Sequence, residues 1–266
     1  MQYIFTPAAK PSQSPFPSEG GWEGEPSPRQ VGEGAETPDA LGAMDARFYA
    51  WFPAMHTRVD LLLVADRSED AFRAMAEEIE HVVAQLEQLA NCYDPASPLA
   101  RHNADQSLPV PDELRGLLTL SKWYKEQTLG LFDPWYAGRC NLSAFLKGYA
   151  LDTILPLLTC HGITNAVVSM GNSSILFLKE DRVLTTSGNA TAERRHIVNP
   201  LTGKYVEGRR TVSVETPTQS IDPDGTILGG GALGEVLSTA LFVADDEQRR
   251  QLLQRFPQAH RQPVRP

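Results

Sequence analysis

The chain has no run of 18 apolar residues, so it offers no helix able to span a membrane. Cysteine is scarce: Cys92, Cys140 and Cys160 are the three in 266 residues, and they are widely spaced. That excludes a disulfide framework and any Cys-x-x-Cys pair, and leaves three thiols expected in or near the core. Basic residues are outnumbered, with 24 Lys+Arg against 33 Asp+Glu and a formal net charge of −9. Nucleic-acid binding needs a clustered basic face, so no nucleic-acid partner is expected. The beginning of the chain lacks a basic start, a continuous apolar stretch and a lipid-attachment cysteine, which points to a cytoplasmic location. No internal repeat is present.

What the chain does have is a globular composition, 41% hydrophobic and 21% charged, with length enough for a sizeable core. Residues 1–41 differ from the rest. They are rich in Pro, Gly, Ser and Glu, cannot bury enough apolar surface to offset their ordering entropy, and read as a disordered tail. Residues 44–257 read as one domain, and 258–266 as a polar, frayed end.

Within the domain, residues 58–65 read as an apolar strand bounded by turn or cap residues. Residues 68–90 form the clearest helix. Ser68 stands at its N-cap, Glu69 and Asp70 fill its first turn, and Phe72, Met75, Ile79, Val83 and Leu86 repeat at helical spacing. Residues 92–105 read as a loop, 111–128 as a helix, and 130–134 as a turn. A helix is expected over 147–160, ended by Gly162 and kinked at Pro156. Residues 166–170 and 174–178 read as a hairpin around Gly171-Asn172, followed by strands at 183–186 and 211–215. Helices are expected over 233–244 and 246–256. Strands and helices mix without regular βαβ alternation, so the fold class is α+β with mixed or antiparallel sheets and flanking helices.

Several groupings carry chemistry. Lys147-Gly148 heads an apolar helical run, and a fixed ammonium beside an open backbone suits phosphate. Glu235 and Thr239 lie four positions apart on an expected helix, so their oxygens share one side. Two oxygens so placed suit a hard divalent cation, or simply the helix dipole and the core. Gly229-Gly230-Gly231 precedes that helix without the Lys-Ser/Thr ending of a P-loop, and reads as a flexible surface loop. His196 can accept a proton near neutral pH, or anchor the turn that follows it.

From about Met55 to Val243 the chain resembles the ApbE-type flavin transferases, which move FMN from FAD onto a target protein. The resemblance rests on segments in the family's order. They are Met55-His56-Thr57, then Tyr93-Asp94-Pro95-Ala96-Ser97 with Arg101-His102-Asn103, then Gly130-Leu131-Phe132-Asp133-Pro134. Next come the Lys147 segment, residues 162–171, and Thr186-Ser187-Gly188. His196-Ile197-Val198-Asn199-Pro200 and residues 235–241 complete the series.

The resemblance implies one compact catalytic unit, FAD as substrate, Mg²⁺ as cofactor and an acceptor flavoprotein with an exposed Thr or Ser. It implies metal ligands at Glu235 and Thr239, helped by backbone oxygens at Ala144 and Ser238, and a catalytic base at His196. Flavin contacts are implied at Met55 and Tyr93 for the rings, at Asp133 for adenine or ribose, and at Lys147 and Ile197. Ser169 and Gly171 would let the backbone run close to the ligand. Thr186, Ser187 and Gly188 would donate to phosphate.

Three departures bear on the chemistry. Asn141 and Asn199 stand where relatives carry aspartate, and Glu235 is one methylene longer than the usual aspartate. Two alternatives therefore stay open: FAD pyrophosphatase activity, with water as the nucleophile, and non-catalytic flavin binding on the same scaffold. Many relatives are exported lipoproteins, so a periplasmic location is the alternative if the start is misassigned.

Overall fold

The computed structural model describes residues 1–8, 45–189, 197–207 and 211–262. An antiparallel sheet of eight strands organises it. In spatial order these are β1 (Gln2–Thr6), β2 (Ala46–Ala54), β3 (Thr57–Ala65), β4 (Asn165–Met170), β5 (Ser174–Phe177), β6 (Arg182–Gly188), β9 (Thr211–Pro217) and β12 (His260–Arg261). Two small hairpins stand apart. One is β7 (Val198–Asn199) with β8 (Lys204–Tyr205), and the other is β10 (Gln219–Ile221) with β11 (Ile227–Gly229). Among the described residues six α-helices complete the fold: α1 (Glu69–Ala90), α2 (Pro98–Ala104), α3 (Asp112–Gln127), α4 (Ser143–Cys160), α5 (Gly230–Val243) and α6 (Asp246–Arg255). The fold is α+β, as expected. Among the described residues no helix is long and apolar enough to cross a membrane.

The sheet buries one face because its strands alternate. Phe48, Phe52, Val59, Leu61, Leu63, Val168, Met170, Leu176, Val183 and Val214 all point into the core, while their neighbours point out. Helix α1 covers this face with the predicted stripe, and Phe72 stacks on Phe48 with ring centroids 5.5 Å apart. Ser68 caps the helix by accepting from the Ala71 N–H.

Helices α4 and α5 form the inner layer. Thirteen of the fourteen residues of α5 are buried, and the two helices touch through glycine. A Cβ on Gly148 would lie 2.0 Å from the Gly231 carbonyl oxygen, and one on Gly231 would lie 2.1 Å from that of Gly148. Gly148 therefore brings two backbones together, rather than a backbone to a ligand. The N-terminus of α5 has no capping side chain of its own. Asp152 of α4 supplies the cap, accepting from the Gly231 and Ala232 N–H groups at 2.7 and 2.8 Å.

Several boundaries differ from expectation. Residues 2–6, placed in the tail, pair with β2, and Tyr3 stacks on Phe48. Alternating side chains that find an aromatic partner overcome the polar composition around them. The rest of that segment, 9–44, lies outside the described residues. At the other end, Ala259 is buried and residues 260–261 pair with β9, so only 263–266 fall outside the description. Part of the 92–105 loop is helix α2, capped by Ser97 with Pro98 in its first turn. Helix α4 begins at Ser143 and α5 at Gly230, so Lys147 sits inside a helix, Gly229 ends β11, and Gly230 and Gly231 are helical rather than a loop. Helix α4 continues through Pro156.

Candidate flavin cleft

Most of the predicted site residues converge on one cleft between the sheet, α4 and α5. Its larger lobe has a volume of about 470 Å³. Asp133, Ala144, Lys147, Thr186, Ser187, Gly188, Ile197, Glu235 and Thr239 all line it. A smaller lobe of about 110 Å³ holds Met55, His56, Glu87 and Tyr93. Asn141, Ser143 and Lys147 line both lobes, so the two lie side by side. A wider cavity of about 790 Å³ opens beside Leu89, Glu113 and Tyr149 and contains none of the predicted residues.

Each wall is held from behind. Asn103, from the Arg101-His102-Asn103 segment, donates to the Cys140 carbonyl and accepts the Cys140 N–H, both at 2.8 Å. That fixes the loop carrying Asn141, which donates to the Tyr93 hydroxyl at 3.2 Å and caps the Ser143 N–H at 3.0 Å. The Tyr93 ring is 61% exposed, with the Arg139 guanidinium 5.4 Å from its centre. Asp133 pairs with Lys125 at 2.8 Å and accepts the Trp135 N–H, so its charge is already satisfied.

At the centre lies Lys147. Its ammonium is 3.5 Å from Glu235 and hydrogen-bonds Ser173. Glu235 is buried and also accepts from the Ser174 hydroxyl. Burial pushes the Glu235 carboxyl up, while Lys147 and Ser174 pull the other way. Beside it, Ser187 shares hydrogen bonds with Ser238 at 2.7 Å and Thr239 at 3.0 Å.

Three predicted residues do not line the cleft. Ser169 lies opposite Asp60 in the register, between the core-facing Val168 and Met170, and so stands on the other face of β4. Gly171 makes its close approach to Thr57, where a Cβ would lie 2.2 Å from Oγ1. Ser238 is fully buried and turned to Ser187. His196 lies outside the described residues, while its neighbour Ile197 lines the cleft. Sequence reasoning missed Ser173, Ser174 and Glu87. The two serines read only as strand and turn residues, and Glu87 only as a polar position on a helix.

Residues 55–142 match the model of the ApbE family. Over that stretch, about a third of its length, the chain resembles the ApbE family. No curated protein sequence matches it. Among solved structures, it is similar to the flavin transferase ApbE from Vibrio cholerae at 15% identity and a TM-score of 0.65, over 79% of this chain and 90% of that one. It is also similar to the flavinyl transferase ApbE from Pseudomonas stutzeri, apo form, at 19% identity and a TM-score of 0.64, over 81% and 90%. The ApbE protein of Thermotoga maritima gives 18% and 0.62, over 81% and 93%. At these identities the structural likeness speaks for the fold.

Proposed function

We propose that this chain transfers the FMN half of FAD to a Thr or Ser hydroxyl of a partner flavoprotein and releases AMP. The observation that supports this reading is the adjacency of the two lobes, with Lys147 lining both. A ring-binding end with Met55 and Tyr93 joins a polar end with an ammonium and several hydroxyls, which suits a dinucleotide with charged phosphates between two ring systems.

The oxygens lining the larger lobe suit Mg²⁺. Glu235 offers a carboxylate, Thr239 a hydroxyl and Ala144 a carbonyl, and magnesium is commonly held by one or two carboxylates plus substrate phosphates. These residues would hold it, and when bound it would neutralise pyrophosphate charge. Glu235 would then be shared between the ion and Lys147.

The chain's own residues carry the rest. Lys147 places positive charge beside the pyrophosphate. Ser173, Thr186 and Ser187 donate hydroxyl hydrogens to its oxygens. The acceptor hydroxyl oxygen attacks the phosphorus on the FMN side, and the bond from that phosphorus to the oxygen bridging to AMP breaks. His196 takes the hydroxyl proton, and AMP leaves.

The test is to mix the protein with FAD and Mg²⁺, with and without a threonine-bearing acceptor, and to measure AMP and flavin bound covalently to the acceptor. AMP that appears only with acceptor supports transfer. AMP released without acceptor means hydrolysis, and bound flavin without AMP means a binding protein.

A further inference from the structure

We propose that Glu87 is a positioning residue for flavin binding, holding the Met55-His56 turn in the conformation that lines the smaller lobe. This rests on the reading that the cleft binds FAD. Strands β2 and β3 pair through to Ala54 opposite Thr57, which leaves Met55 and His56 as a two-residue turn. Both have positive φ, 51° and 58°. Such turns favour Asn-Gly, because left-handed backbone costs other residues free energy. A Met-His turn therefore needs support from outside itself.

Glu87 provides that support. Its carboxylate accepts the Met55 N–H at 2.8 Å from 32 positions away on α1. That N–H has no partner in the ladder, since its residue is in the turn. A bond to a charged acceptor is among the stronger single hydrogen bonds. Met55, His56 and Glu87 then line the smaller lobe together with Tyr93. The same bond thus fixes a disfavoured backbone and sets where the Met55 side chain meets a flavin ring. Gly171 packs on Thr57, the residue that follows the turn.

The experiment is FAD titration followed by flavin fluorescence, using the full chain and the variants E87A, E87Q and E87A/H56G, with circular dichroism as a folding control. The wild-type protein should bind FAD. E87A should bind about tenfold more weakly, a difference of about 1.4 kcal/mol. E87Q should stay near wild type, because its amide carbonyl can accept the same N–H. H56G should recover part of the E87A loss, because glycine adopts positive φ without strain.

A wild-type protein that does not bind FAD overturns the flavin reading and this proposal with it. If the wild type binds and E87A binds equally well, or E87Q falls as far as E87A, only the positioning role is overturned. Should E87A fail to fold, amide hydrogen exchange in the wild-type protein decides. A Met55 amide that exchanges more slowly than that of His56 supports the proposal, and equal rates overturn it.

Discussion

One methylene separates Glu235 from an aspartate, and with it the carboxylate reaches Ser174 on β5 as well as Lys147 on α4. Glu235→Asp gives up reach toward Ser174 while keeping the charge. AMP release with acceptor should stay equal or rise, to about threefold at most. A large loss would show that the longer side chain is required. Lys147→Ala removes the ammonium at the junction of the lobes and should cut turnover about 10²-fold, in the range for a group that stabilises developing charge. Asp152 makes a different prediction. Burial raises its carboxyl from 3.8 to about 7, against the pull of two backbone N–H bonds. The folded protein therefore keeps a proton that the unfolded chain releases between those values. Stability from this group is fully present below pH 3.8, falls as pH rises toward 7, and is flat above. Urea denaturation at several pH values should show that decline in the wild type, and Asp152→Asn should abolish its share.

The element that matters most is the α4–α5 pair, since one helix carries Lys147 and the other Glu235. Gly148→Ala would drive a Cβ into the Gly231 carbonyl, which is backbone and cannot swing aside. The helices must separate, at a cost of about 1–3 kcal/mol in thermal stability, with weaker FAD binding alongside. Sequence periodicity was enough to find α1, α3 and the β4–β5 hairpin, because each obeys a local rule of spacing, capping or turn chemistry. The glycine helix start was not legible. Gly230 and Gly231 read as loop because glycine disfavours helix in isolation, and a tertiary contact reverses that preference. Strand β1 was hidden for a related reason, since five residues signal little until their partner strand is known. At the site, motif order located the residues near Lys147 and Thr186. Ser169 was misplaced because a two-residue period decides which face a side chain takes, and Gly171 because its close approach is to Thr57; motif order records neither.

Across the whole molecule, distant segments are tied at a few polar points. Arg255 on α6 makes a two-pronged pair with Asp222 in the β10–β11 hairpin, at 2.7 and 2.8 Å, and donates to Gln127 on α3 at 2.9 Å. Asp222 is buried, so Arg255→Ala leaves a charge without its partner in the interior. The loss in stability should be about 3 kcal/mol, measurable by chemical denaturation, and Arg255→Lys should recover only part of it because an ammonium cannot make the two-pronged pair. The sheet's two edges are its earliest and latest strands, β1 and β12. Tags or fusions at either end therefore adjoin edge strands rather than the cleft, and should leave flavin binding unchanged.

The contact between Gly148 and Gly231 is main chain against main chain. A contact built that way has no rotamers to flex, so the backbone spacing between the helices that carry the lysine and the glutamate is set by the course of the polypeptide. Substitutions at the facing positions can alter the reactive groups while leaving the spacing of the jaws as it was.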